Sequence, residues 1–150
     1  RGVNPEDGGR WAARVAAENG HTEVFEWLWN HGLKGKFRKG GGVVRGAAQG
    51  GQLRMLQMCH DMGLDIAEGG EWAVRLAASS GCIDALALVV ESMHYVSPDR
   101  IAGAALRGAA NAGHVDILDW ALQLKHGQHS LNANSKYLYL AAAEGGHLPV

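Results

Sequence analysis

Prolines and cysteines are scarce: three and two in 150 residues. So few cysteines exclude a disulfide-stapled framework, which needs several bridges to hold a small domain together. Cys59 and Cys82 read instead as reduced thiols, which points to an intracellular protein. A Cys59–Cys82 bridge is the alternative. Net charge is also scarce, at −1. A chain this close to neutral has no global pull toward nucleic acid or an anionic membrane. No apolar run approaches the length of about 18 residues that a membrane-spanning helix requires. Serines are few and none sits in a nucleophile motif. No pair of carboxylates recurs beside a base. No catalytic set, cofactor site or metal site is therefore expected. Two histidines in one loop, His126 and His129, fall short of the four ligands of a structural zinc site.

What the chain does have is glycine, 22 residues of it, and a short phrase that returns five times. Ala16-Ala17-Glu18-Asn19-Gly20-His21 recurs as Ala47-Ala48-Gln49-Gly50-Gly51-Gln52 and as Ala77-Ala78-Ser79-Ser80-Gly81-Cys82. The fourth copy is Ala109-Ala110-Asn111-Ala112-Gly113-His114, and the fifth is Ala142-Ala143-Glu144-Gly145-Gly146-His147. The phrase glycines stand 31, 30, 32 and 33 residues apart. An even period near 30 means a stack of small units rather than one globular core.

After each glycine comes an apolar pattern at i, i+1, i+4, which is one helical face. It reads Val24, Phe25, Leu28; then Met55, Leu56, Cys59; then Ala85, Leu86, Val89; then Ile117, Leu118, Ala121. Before each phrase lies an alanine-rich helix whose small side chains allow close packing. The phrase glycine is expected to turn the chain between the two helices at positive φ. Loops of about eight to ten residues then join one unit to the next.

Helix, turn, helix and projecting loop, with this phrase, resembles a divergent ankyrin repeat over nearly the whole chain. The family opens each repeat with Thr-Pro-Leu-His. Here those places hold Trp11-Ala12-Ala13-Arg14, Gly42-Val43-Val44-Arg45, Trp72-Ala73-Val74-Arg75, Ala104-Ala105-Leu106-Arg107 and Tyr137-Leu138-Tyr139-Leu140. Tetratricopeptide repeats share the period but lack the Gly-His turn. The resemblance implies an all-α helix-turn-helix solenoid with units at about 6–36, 37–66, 67–98 and 99–131 and a partial fifth at 132–150. The chain opens without methionine and stops inside the fifth unit, so a fragment of a longer protein is expected. The resemblance also implies a structural role for His21, His114 and His147, with each ring bonded to local backbone.

Such an array binds macromolecules along an extended face. The expected function is a non-catalytic interaction module, monomeric and cytoplasmic, with a protein partner and no membrane contact. In the family the first-helix position held by Trp11, Trp72 and Tyr137 borders the concave face, and aromatics are enriched at binding hot spots; packing against the loop hairpin of the next unit is the other reading of these three. The first loop gathers Lys34, Lys36, Phe37, Arg38 and Lys39, a basic cluster around one aromatic. The second is acidic, with Asp65, Glu68 and Glu71. Adjacent loops of opposite sign suit a protein better than a polyanion. The candidate contact residues are Trp11, Lys36, Phe37, Arg38, Lys39, Glu71, Trp72, Arg100, Lys136 and Tyr137. The alternative is nucleic-acid or anion binding through the basic loop 34–39. The recurrent Arg14, Arg45, Arg75 and Arg107 are read first as bridges between units, since arginine carries five donors. A phosphate-binding ladder is the second reading.

Overall fold

The computed structural model describes residues 8–36 and 40–124. All regular structure among them is helical. Eight α-helices run in sequence: α1 (Gly9–Glu18), α2 (Thr22–Leu28), α3 (Gly41–Gln49), α4 (Leu53–Asp61), α5 (Gly70–Ser80), α6 (Ile83–Glu91), α7 (Pro98–Ala112) and α8 (Val115–Gln123). They pair as hairpins, α1 with α2, α3 with α4, α5 with α6 and α7 with α8. The odd-numbered helices also pack on one another in chain order, α1 on α3 on α5 on α7, while α4 packs on α6. Residues 132–150, expected to begin a fifth unit, lie outside the described residues.

The repeated phrase has a direct mechanical meaning. Its glycine adopts φ of +70° at Gly20, +64° at Gly51, +82° at Gly81 and +78° at Gly113. These values favour glycine because any Cβ would crowd the backbone. The N–H of the residue after the glycine donates back to the carbonyl of the phrase's first alanine. His21 bonds Ala16 at 2.8 Å, Gln52 bonds Ala47 at 2.9 Å and His114 bonds Ala109 at 3.0 Å. That is the helix-terminating bond pattern of a left-handed cap. In the third unit Ser80 supplies the link. Its hydroxyl donates to the Ala77 carbonyl at 2.7 Å and accepts from the Cys82 N–H at 3.3 Å.

Each turn also holds its neighbour. A Cβ on Gly20 would stand 2.5 Å from the Gln52 Oε1, and one on Gly81 would stand 2.8 Å from the His114 ring. The side chain that follows one glycine therefore occupies the space above the glycine before it. Gln52 donates through Nε2 to the Glu18 carbonyl at 3.2 Å. The His114 ring meets the Ser79 carbonyl through Nε2 at 3.1 Å. The histidine thus bonds the backbone of the preceding hairpin, a correction to the local bond expected for it. A lateral bond across 35 residues ties two hairpins together, which a local bond cannot do.

The core runs through the row of helices. Both phrase alanines are buried in all four described copies. Phe25, Met55, Leu56, Leu86, Leu106 and Ile117 are fully buried behind them. Val24 departs from the expected face. Met55, Ala85 and Ile117 at the same place in later hairpins have no exposure, yet Val24 is 51% exposed. Each later residue has a preceding hairpin beside it, and Val24 sits in the first described one. Two connections also differ from the expected loops. The acidic stretch is a 3₁₀-helix, Ile66–Gly69, capped by Asp65 through its Oδ1 and the Ala67 N–H at 2.9 Å. The segment before the fourth phrase is helical from Pro98 onward, because Ser97-Pro98 starts α7 early with proline at a position that needs no N–H donor.

Helices approach closely where the residue after the recurrent arginine is glycine. A Cβ on Gly46 would stand 2.6 Å from the Arg14 carbonyl oxygen, and one on Gly108 would overlap the Arg75 carbonyl. Alanine at an exposed helix-interior glycine ordinarily stabilises by about 0.8–1 kcal/mol. Gly42→Ala, where a Cβ meets nothing within 4 Å, should follow that rule. Gly108→Ala should do the reverse and destabilise by about 1–3 kcal/mol through overpacking. Denaturant midpoints of the two variants, read against the parent, check the opposite signs.

Candidate interaction surface

The outward face of α1, α3, α5 and α7 gathers the polar and aromatic side chains that the stack does not bury. Trp11, at the start of α1, is 68% exposed, and Trp72, in the first turn of α5, is 54% exposed. Between them α3 carries Gly42 at the same repeat position, with open space above it. Two indoles thus flank a gap one helix wide. Arg75 lies one turn beyond Trp72, its guanidinium carbon 5.1 Å from the indole centroid. Cation–π contact of this kind contributes about 0.5–1 kcal/mol at an exposed site and holds both groups in place.

The recurrent arginines share this face. Arg14 donates through Nη2 to the Gln49 Oε1 at 3.3 Å. Gln49 in turn donates to the Glu18 Oε1 at 2.9 Å, which closes a link between α1 and α3. Arg45 donates through Nε to the Gly69 carbonyl at 3.2 Å, from α3 to the start of the next hairpin. Two of the recurrent arginines therefore reach from one hairpin to the next. Arg107 is half-buried in α7 and continues the row.

Several candidate contact residues are brought together and others are not. Glu71 and Arg100 form an ion pair between α5 and α7. The early start of α7 is what delivers Arg100 to Glu71. Lys36 is exposed in the turn that follows Leu33. Phe37, Arg38, Lys39, Lys136 and Tyr137 lie outside the described residues.

The other layer carries features that the sequence reading gave less weight. Trp27, 54% exposed on α2, stacks on His31 with centroids 4.1 Å apart and rings 12° from parallel. The His31 Nδ1 lies 2.8 Å from the Trp27 carbonyl. The i, i+4 spacing of the two residues was the available signal. Tyr95 is the most exposed large hydrophobic side chain among the described residues; it sits in the connection between α6 and α7, where no periodicity marks it. An open cleft of about 370 Å³ between α4 and α6 is lined by His60, Asp65, Leu88, Glu91, Ser92 and His94 among others. No three His, Cys, Asp or Glu residues among those described are grouped so as to hold a metal ion. No described helix is long and apolar enough to cross a membrane.

Both cysteines are free thiols. Burial pushes the Cys59 thiol from its ordinary 9.0 up to about 12, because an apolar surround disfavours the thiolate. It is unsuited to act as a nucleophile. Cys82, half-buried at the turn, is the more accessible of the two. At pH 8 a thiol reagent should titrate one group rapidly in the native protein and two after unfolding, and Cys82→Ser should remove the rapid one. The folded state holds the Cys59 proton more tightly than the unfolded state. Its contribution to stability is therefore fully present below about pH 9 and is lost as the pH rises toward 12.

No protein-family model matches this chain, and no curated protein matches it either.

Proposed function

We propose that the chain is an ankyrin-type solenoid that acts as a non-catalytic protein-binding module and recognises its partner through the outward face of the first helices. The observation that carries this reading is the pair of exposed indoles, Trp11 and Trp72, on helices that pack in sequence around the Gly42 gap. Large exposed aromatics on a rigid support are the usual anchors of an interface. They lose little conformational entropy on binding because packed helices already hold them. The turn geometry supports the repeat reading, since positive φ recurs at Gly20, Gly51, Gly81 and Gly113 and a side chain of the next hairpin lies over the first three. The free thiols support an intracellular setting. The rival is nucleic-acid or anion binding by the basic loop 34–39, whose Lys34 and Lys36 are exposed.

The test is an alanine scan against the native protein partner. Trp72→Ala should weaken binding by about 2 kcal/mol, or roughly thirtyfold. Gln57→Ala and Asp119→Ala, exposed on α4 and α8, should change it less than about threefold, as rim positions do. Dominant losses at Gln57 or Asp119 would place recognition on the opposite layer. Binding that Lys36→Ala weakens most, and that fades steeply with salt, would favour the basic loop.

A further inference from the structure

We propose that the first-helix face takes an extended acidic peptide whose carboxylates recur at every third residue, one for each of Arg14, Arg45 and Arg75. This rests on the protein-binding reading above and names the partner's chemistry.

The first observation is a mismatch of charge on that face. Two nearby acids are engaged elsewhere: Glu18 accepts from Gln49, and Glu71 pairs with Arg100. Among the described residues, Arg14, Arg45 and Arg75 have no carboxylate partner. Each is held by a weaker contact that leaves most of its donors over. Arg14 uses Nη2 on Gln49, Arg45 uses Nε on a carbonyl, and Arg75 stands over the Trp72 ring. A guanidinium has five N–H donors in a planar fork suited to a carboxylate. These contacts orient the three forks before any ligand arrives, which lowers the entropy cost of binding.

The second observation is spacing. The three arginines share one repeat position on α1, α3 and α5, which pack side by side. Axes of packed helices lie about 8–10 Å apart. Three residues of a polyproline II chain advance about 9 Å. A polyproline II peptide laid across the helices therefore presents every third side chain to successive arginines, because that helix has three residues per turn. The third observation is the gap. With Trp11 and Trp72 on either side and no Cβ at Gly42, the middle of the face is lowest where a peptide backbone would cross. The indoles can then cover apolar side chains at the peptide's two ends. A nucleic acid fits less well. Nucleic-acid binders that make about 6–10 phosphate contacts rely on many cations, whereas this row is short and the chain carries −1.

The experiment uses the full chain and labelled synthetic peptides in fluorescence anisotropy at about 0.15 M salt. One peptide has glutamate at every third position among alanine, serine and leucine. A second has the same composition with its glutamates contiguous, and a third probe is a single-stranded oligothymidylate. The spaced peptide should bind at least tenfold more tightly than the contiguous one. Arg75→Glu should weaken it at least tenfold, and a peptide with lysine in place of the glutamate facing that site should regain affinity for the variant. Arg45→Lys should weaken it severalfold, because lysine lacks the fork. Circular dichroism and melting of each variant confirm that the helices remain. Equal binding of the two peptides, no binding of the spaced peptide, tightest binding of the oligothymidylate, or absence of the charge-swap rescue would each overturn the proposal. If the spaced peptide fails while Trp72→Ala still weakens the native partner, only the acidic chemistry falls. If Trp72→Ala has no effect either, the face itself is wrong.

Discussion

The rest of the structure depends on the absence of a side chain at the phrase glycine. At Gly20 and Gly81 one missing Cβ satisfies two demands at once. The backbone turns at positive φ, and the next hairpin's side chain fills the vacated space. The first demand is local and closes each helix. The second is lateral and sets how far one hairpin stands from the next. Because Gln52 and His114 bond the preceding hairpin's backbone from that position, the turn also transmits register along the row.

Register along the row is what gives the outward face its order. Arg14, Arg45 and Arg75 lie on neighbouring helices at one position, and Trp11, Gly42 and Trp72 lie one turn before them. A packed helix row presents its exposed residues at a fixed pitch, so chemistry written once per repeat becomes chemistry spaced at a regular interval. The polar contacts on this face are individually weak, as exposed ion pairs and hydrogen bonds are. Their effect is orientation more than stability. Stability comes from the alanine-lined core and from the close approach at Gly46 and Gly108, where backbone meets backbone with no side chain between.

The helical composition, the hairpin turns and the identity of most core residues were legible because each leaves a periodic mark. Phe25, Met55, Leu86 and Ile117 are buried where the i, i+1, i+4 pattern put them. The early start of α7 was not legible from the phrase, although Ser97-Pro98 is a helix-opening pair that could have been read. The 3₁₀-helix before α5 was read as a charged loop, because glutamate there marks polarity without marking conformation. The exposure of Val24 had no signal in its own repeat. Its pattern is that of Met55, and only the position of its hairpin in the row distinguishes them.

By itself the sequence determined what each unit does internally. Where helices form, where glycine must break them and which face turns inward all follow from residues a few places apart, whose interactions are set by local backbone geometry. Tertiary structure decided what one unit does to another. That His114 bonds Ser79, that Glu71 takes Arg100 instead of the recurrent arginines, and that Gly108 meets the Arg75 carbonyl depend on how closely hairpins approach. That distance is a sum of side-chain volumes across the whole row, and no single segment of the chain specifies it.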